Sequence, residues 1–347
     1  MITPAIGSVL PLPELGPITG ESLLAQWTAG HTFAAYWTAR AALCALLKAR
    51  RARRIWLPAY ACSALAQAAS SAGVEICWYG VDDCLSADEA RLAEGLRSGD
   101  VALVIAYFGQ SPASGLLALA ASRPDVLWIE DRAQALAVDG PTWAEVALYS
   151  PRKLVGAPDG GLLVGRGALP TPESSASPVN AAPQLARLAD PKGLAPETWY
   201  PGFQAQEAAF DATPLAMSEL TREVLEGINP APLVLRRREN FAALAEALKD
   251  YGLWPDLEIA FAPMVFPVRI ADRDEVVRRM AAERIYCAHH WPDLPSPAED
   301  FPGVHALNAE LLSIPCDHRY GAEDMARVAE KLTALARPAQ AARAGSR

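Results

Sequence analysis

Asp131 and Lys153 are the residues of this 347-residue chain whose types and surroundings most favour chemistry. Asp131 ends the apolar run Leu127–Asp131, and the polar Gln134 follows three residues later. In α/β proteins, ligands bind beyond the carboxyl ends of the strands, so a carboxylate at this point can meet a cationic ligand atom. Glu130 precedes Asp131, and the alternative explanation for this acidic pair is that it caps the N-terminus of a helix.

Lys153 lies in the segment LYSPRKLVGAPDGGLLV, between two apolar runs and before Gly160 and Gly161. The chain has only five lysines among its 31 basic residues, and Lys153 alone is placed at a predicted strand-end turn of a core. A lysine that is partly desolvated at such a turn has a lowered pKa and can form a Schiff base. The alternative is a surface lysine beside Arg152.

Short apolar segments alternate with helical segments of about ten residues over the first half of the chain. This alternation predicts an α/β fold whose mostly parallel sheet is flanked by helices. The predicted helices are Ala39–Ala49, Ser63–Ala72, Ala87–Leu96 and Leu116–Ser122, and the predicted strands are Arg54–Leu57, Val74–Tyr79, Val101–Tyr107, Val126–Glu130, Ala144–Tyr149 and Gly161–Val164.

Changes in composition divide the chain into an N-terminal arm (1–20), a large α/β domain (21–215), a small C-terminal α+β domain (216–336) and a flexible polar tail (337–347). Within the large domain, 169–201 is rich in proline, serine and alanine and has no period. That composition predicts a variable, exposed loop region.

Five blocks, in the order WTARAAL, LPAYACSAL, YFG, IEDRAQAL and LYSPRKLVGAPDGG, resemble the DegT-type (DnrJ/StrS) sugar aminotransferases. These are fold-type-I enzymes that depend on pyridoxal 5'-phosphate (PLP). The resemblance is clear over 30–165 and continues more weakly through AMSELTREVL and LLSIPCDHRYGAEDMARV. The combination of EDxAQA, a lysine and Gly-Gly is its most specific part. It implies PLP as the cofactor and a homodimer with shared active sites.

By this resemblance, Lys153 would hold PLP as an internal aldimine and would later carry the proton between the substrate and the cofactor. Asp131 would pair with the pyridinium nitrogen and keep the ring cationic. Gln134 would face the side of the ring that carries the phenolic oxygen.

The phosphate of PLP would lie at the start of the helix Ala39–Ala49, because a helix N-terminus attracts anions. Thr38, Ala39 and Arg40 match the stretch of the family that cradles this group, and Ser150 would add a hydroxyl.

Two departures from the family pattern stand out. The position that normally carries an aromatic residue stacked on the ring is Cys62, and Tyr60 is the nearest aromatic residue. The segment 213–217 reads TPLAM and lacks the asparagine and arginine that the family supplies to the partner subunit's phosphate. A divergent member, with a different way of holding the phosphate or a different substrate, is therefore expected.

Three further residues are candidates for the substrate pocket. Trp291 could provide a flat apolar wall beside His290, and Tyr107 follows a predicted strand at the edge of the site; ordinary packing is the alternative for each. The pairs His289-His290 and Cys316/His318 fit no zinc pattern, since adjacent histidines in a strand point to opposite faces. No metal site is predicted.

Composition excludes several classes of protein. The net charge is −9, which disfavours binding to nucleic acid. No run approaches the roughly 18 apolar residues of a membrane helix, and the N-terminus has no signal-peptide pattern. Six cysteines without CxxC pairs do not form a disulfide framework. We therefore expect a cytoplasmic protein that binds neither nucleic acid nor membrane.

The function expected from the resemblance is transfer of an amino group, with glutamate as donor, to a nucleotide-linked keto sugar. Another fold-type-I PLP reaction, such as a lyase or another amino-acid transformation, would use the same Asp131 and Lys153. A binding or regulatory protein with this fold but no catalysis is the third possibility.

Overall fold

The structure is a computed structural model that describes residues 3–16, 20–137, 139–141, 143–254 and 259–339. Its described strands are β1 (Ile6–Gly7), β2 (Thr32–Tyr36), β3 (Arg54–Pro58), β4 (Glu75–Tyr79), β5 (Val101–Ile105), β6 (Leu127–Asp131), β7 (Ala135–Leu136), β8 (Val146–Tyr149), β9 (Gly161–Gly165), β10 (Glu173–Ala176), β11 (Leu215–Ala216), β12 (Ala262–Pro263), β13 (Val265–Arg269), β14 (Ile285–Tyr286) and β15 (Leu311–Pro315).

The described α-helices are α1 (Leu23–Thr28), α2 (Ala39–Ala49), α3 (Ser63–Ala72), α4 (Glu89–Gly95), α5 (Ser114–Ser122), α6 (Pro151–Val155), α7 (Ala182–Ala189), α8 (Tyr200–Ala209), α9 (Glu219–Gly227), α10 (Pro230–Ala247), α11 (Arg273–Ala282), α12 (Pro302–Glu310) and α13 (Ala322–Leu335). Short 3-10 turns occupy Tyr107–Gly109 and Pro196–Thr198. No described helix is long and apolar enough to cross a membrane.

The large domain is built on a nine-stranded sheet in the order β10-β11-β2-β9-β8-β6-β5-β3-β4. From β8 to β4 the neighbouring strands are parallel, while β9 is antiparallel to both β8 and β2. Because β5, β6 and β8 are parallel, their carboxyl ends meet at one edge, where Asp131 and the start of α6 lie. The predicted α/β fold with a mostly parallel sheet is confirmed.

Helices α2 and α3 have the predicted bounds, because local signals define both of them. Alanine and leucine dominate α2, and the Thr38 hydroxyl caps it by accepting a hydrogen bond from Ala41 N at 3.0 Å. Gly73 ends α3 with a left-handed φ of 70°. The buried leucines of α2, among them Leu43 and Leu47, pack into the main core beneath the sheet. Burial of each such side chain contributes roughly 1.5–3 kcal/mol.

The prediction of a loop over 169–201 was wrong in part. That stretch contains β10, α7 and the 3-10 turn Pro196–Thr198, and α8 begins inside it at Tyr200. Pro183 stands in the first turn of α7, where its fixed φ favours the helix. The residues that α7 buries include Gln184 and Arg187, both about 2% exposed. Because polar residues lie on the buried face of α7, its sequence lacks the helical spacing of apolar residues from which a helix is predicted.

The N-terminal arm, expected to be irregular, packs along the molecule over the described part of 3–16. Strand β1 pairs in parallel with β14, and Ile6 is fully buried. Arg319 Nη1 donates to Val9 O at 2.8 Å. Residues 1–2 and 17–19 of the predicted arm lie outside the described residues.

The small domain packs α10, α11 and α13 around the antiparallel pair β13–β15, with a separate apolar core that includes Phe241, Phe266 and Leu332. The predicted tail begins against this domain, since Ala271 N donates to Arg337 O at 3.0 Å. Residues 340–347 of the tail lie outside the described residues. The domain boundaries stay a prediction.

Candidate active site

Asp131 is a buried carboxylate at the carboxyl end of β6, between Ile105 of β5 and Leu148 of β8. Its Oδ1 accepts a hydrogen bond from Ala133 N at 2.9 Å, which is the single bond of this carboxylate to described residues. Burial raises the pKa of Asp131, while the nearby Lys153 ammonium lowers it. A carboxylate placed in this way is stabilised by a cationic partner.

Lys153 lies on α6, a short helix where the sequence predicted only a turn. Pro151 presets the first helical φ, and Gly156 ends the helix in the left-handed region with φ 72°. The Lys153 ammonium lies near enough to Asp131 on the sheet and to His290 on the small domain for its charge to lower the pKa of both. The structure therefore brings the two residues singled out by sequence together.

Gln134 is about 1% exposed, and neither its Oε1 nor its Nε2 has a hydrogen-bond partner among the described residues. Its backbone is held firmly, because its carbonyl accepts from Met264 N at 3.0 Å. Buried amide groups in native proteins almost always have partners. The Gln134 amide, close to Asp131 in the chain, therefore has hydrogen-bonding capacity that the described residues do not use and that a polar ligand or a water molecule would satisfy.

The N-terminus of α2 closes the site on the side of β9. Gly160 N donates to Trp37 O at 2.6 Å, and Gly161 lies directly against the Thr38–Ala39 backbone. A Cβ on Gly161 would stand 2.2 Å from Ala39 N. The Gly-Gly pair is thus required by the close approach of two backbone segments.

Arg40 turns its side chain toward α8, where Nη1 donates to Phe210 O at 2.6 Å. Burial lowers the pKa of Arg40, and Arg152 nearby lowers it further. Ser150, which is about 2% exposed, precedes α6 without capping it through its side chain. Arg40 thus lies at the start of α2 and Ser150 directly before α6, and their roles in binding phosphate stay predictions.

Tyr60 and Cys62 stand just beyond β3, on the opposite side of the site. Tyr60 is fully buried, with Trp291 at 5.3 Å and Tyr107 at 5.7 Å between ring centroids. Its hydroxyl donates to His290 O, and burial raises its pKa. Cys62 is partly exposed and lies near enough to Arg40 to influence its pKa.

The predicted substrate residues form one aromatic wall between the domains. Tyr107 is buried and donates to Tyr60 O. His290 Nδ1 lies 2.8 Å from Ser313 Oγ, and burial, aided by the Lys153 charge, lowers the pKa of His290 to about 3. Trp291 is partly exposed beside it. His290 is therefore neutral near pH 7.

The other polar residues of the small domain fall into separate groups. His289 Nε2 contacts Arg273 Nη1 at 2.7 Å, while Cys316 is fully buried in the core of the small domain. Within the described ranges, no three His, Cys, Asp or Glu residues come together in a way that could hold a metal ion.

Sequence reasoning missed Asp159, which is fully buried between α6 and β9. Its Oδ2 accepts from Ser218 N at 3.0 Å, and its Oδ1 accepts from Ser218 Oγ at 2.7 Å and from Thr221 Oγ1. This carboxylate ties the turn after Lys153 to the N-terminus of α9. The available signal was an acidic residue directly before Gly-Gly.

A cavity of about 660 Å³ lies apart from Lys153, between α7 and α8. Trp37 and Phe210 line it together with small residues such as Ala186 and Gly202. It contains neither Asp131 nor Lys153, so its size does not make it the chemical centre.

No protein-family model matches the chain, and no curated protein matches it by sequence. Solved structures do match. Spr1654 from Streptococcus pneumoniae in its PLP form is 13% identical and has a TM-score of 0.68, covering 95% of this chain and 98% of that one. A DegT DnrJ EryC1 StrS aminotransferase from Brucella abortus is 18% identical with a TM-score of 0.64, covering 90% and 87%. DesI with its TDP-sugar product is 19% identical with a TM-score of 0.63, covering 89% and 81%. The chain therefore shares its fold with these solved structures, as the sequence predicted.

Proposed function

We propose that this protein is a PLP-dependent aminotransferase that acts on a nucleotide-linked keto sugar. The observation that carries the proposal is the buried Asp131 carboxylate, which accepts one hydrogen bond from the described residues and lies within the field of Lys153. The unpartnered Gln134 amide stands in the same segment. Two similar structures, Spr1654 in its PLP form and DesI with its TDP-sugar product, support this choice of cofactor and substrate.

The residues present fit PLP. Asp131 supplies the anion that a pyridinium nitrogen needs, and the buried Gln134 amide supplies a hydrogen bond for a phenolic oxygen. The start of α2 and Ser150 would hold the phosphate, with Arg40 close by. When bound, PLP supplies an electron sink that makes the α-proton of an amino acid acidic.

The remaining chemistry falls to the side chains of the chain. Lys153 Nζ removes a proton from the α-carbon of the amino donor, and it returns a proton to the corresponding carbon of the acceptor. Asp131 stays ionised beside its cationic partner. Neutral His290 adds no second positive charge next to Lys153. Tyr107, His290 and Trp291 line the side on which the acceptor would enter.

We further infer that glutamate is the amino donor, that the protein is cytoplasmic and that it works as a homodimer with shared active sites. All six cysteines are unpaired thiols, in keeping with a reducing compartment. The segment 213–217, in which the family's asparagine and arginine are absent, is where the partner's contribution would differ.

The test is the visible absorption spectrum of the purified protein after addition of PLP, for the wild type and for Lys153→Ala. We expect the wild type to show the band of PLP joined to a lysine, and the variant to lack it. Glutamate should then bleach the band to the pyridoxamine form. A band that depends on Lys153 but is insensitive to glutamate would indicate another donor or another PLP reaction, and the absence of any band would contradict the proposal.

A further inference from the structure

Arg237 is a fully buried arginine on α10 of the small domain. It lies against the large domain, at the far end of the helix that carries Lys153. Burial lowers its pKa, with the Asp317 charge acting in the opposite direction. None of its hydrogen bonds to described residues reaches a carboxylate.

The guanidinium of Arg237 bridges two backbone segments of the site. Its Nη2 donates to Leu154 O at 2.8 Å, on the residue after Lys153. Its Nη1 donates to Pro263 O at 2.9 Å and to Met264 O at 3.3 Å.

The second segment, Pro263–Met264, is hydrogen-bonded to the stretch around Gln134. Met264 N donates to Gln134 O, and Pro263 pairs with Ala135 across the short β7–β12 ladder. The Arg237 side chain therefore sets the position of Leu154, next to Lys153, relative to the segment that contains Gln134.

An arginine with no direct carboxylate partner is costly to bury, since its desolvation is offset only by hydrogen bonds to carbonyl groups. The last carbonyls of a helix have no intrahelical partner, and a cation at a helix C-terminus interacts favourably with the helix dipole. α6 has only five residues, so the bond from Arg237 at its end adds to the burial of Leu154 and Val155 in holding it.

We propose that Arg237 is a positioning residue, which places the Lys153 amine relative to Asp131 and Gln134 by holding the Leu154 carbonyl. The proposal rests on the proposed function for its consequence in turnover. The placement itself can be tested in the cofactor-free protein.

The experiment compares Arg237→Gln and Arg237→Lys with a matched control, Arg319→Gln. Arg319 is also largely buried in the small domain, but its side chain bonds to Asp317 and to the N-terminal arm, and none of its hydrogen bonds to described residues reaches α6. The first measurement is the rate at which acetic anhydride labels Lys153 in cofactor-free protein, with exposed Lys48 as the internal standard. The second is the rate at which the visible band forms after PLP is added, and thermal unfolding is recorded for each variant.

We expect Arg237→Gln to slow formation of the band by roughly ten- to a hundredfold, as for a catalytic group displaced by about an ångström. Labelling of Lys153 relative to Lys48 should change as well. Arg237→Lys keeps the charge but cannot bridge both segments, so it should recover part of the rate. Arg319→Gln should lower thermal stability and leave both rates within about twofold of wild type.

Equal changes in the two rates for Arg319→Gln and Arg237→Gln would overturn the proposal, because Arg237 would then act through stability alone. If Arg237→Gln does not fold, Arg237→Lys decides by the same two rates, with wild-type rates counting against the proposal. Absence of the band in wild-type protein would contradict the proposed function, and the labelling of Lys153 would still test Arg237.

Discussion

Two buried carboxylates flank the helix of Lys153, and they differ in how their oxygens are satisfied. Asp159 receives three hydrogen bonds, from Ser218 N, Ser218 Oγ and Thr221 Oγ1. Among the described residues, Asp131 receives one, from Ala133 N. A buried charge that is fully hydrogen-bonded holds a structure together, whereas one that keeps free capacity is ready to bind a cation. The comparison separates a carboxylate that is fully hydrogen-bonded, Asp159, from the one that we propose binds the cofactor, Asp131.

The strongest way to test this comparison is Asp131→Asn. The amide keeps the shape but cannot supply the negative charge that a pyridinium needs, so we expect turnover with glutamate to fall on the order of a hundredfold or more. The stability of the cofactor-free protein should be unchanged or raised, because an incompletely satisfied buried charge is removed. Activity assays and urea unfolding on the same preparations check both halves. A stability loss larger than that of Asp159→Asn would invert the comparison.

Gly161→Ala tests the backbone contact beside Asp159. The added Cβ would lie 2.2 Å from Ala39 N and from Thr38 C, and backbone atoms cannot move aside cheaply. We expect a loss of about 3 kcal/mol in the free energy of unfolding, at the upper end of overpacking costs. Urea unfolding measures it. Gly167→Ala, at a glycine with open space around it, is the matched control, and an equal loss there would contradict the explanation.

Asp159→Asn is expected to lower stability and to leave PLP binding intact, whereas we expect Asp131→Asn to lower turnover without loss of stability. It weakens the bonds to Ser218 and Thr221, and an amide nitrogen replaces one acceptor. The free energy of unfolding should fall by about 2 kcal/mol. Binding of PLP at saturating concentration should persist, as judged by the visible band. Loss of the band in a variant that is still folded would mean that Asp159 is not merely structural.

The parts of the fold and of the site that could be predicted from sequence are those that local signals define. The bounds of α2 and α3 follow from composition and caps, and the apolar run before Asp131 locates the carboxyl end of a strand. The sequence could not show which distant residues the buried polar side chains form hydrogen bonds with. The roles of Asp159 and Arg237 depend on bonds to residues 59 and 83 positions away in the chain, respectively. Helix α7 was hidden because its buried face carries Gln184 and Arg187.

The last prediction concerns His290, which like Asp131 lies within the field of Lys153. Its pKa is lowered to about 3 in the folded protein, from 6.5 when unperturbed. The unfolded chain therefore takes up a proton that the folded protein does not, so this stability is present above about pH 6.5 and is lost as the pH falls toward 3. His290→Gln should unfold with a smaller dependence on pH between 6.5 and 4 than the wild type. For Asp131 the pKa is raised in the folded protein, so its contribution has the opposite sign and is lost as the pH rises. Urea titrations at several pH values distinguish the two residues, and parallel stability curves for wild type and His290→Gln would contradict the lowered pKa of His290.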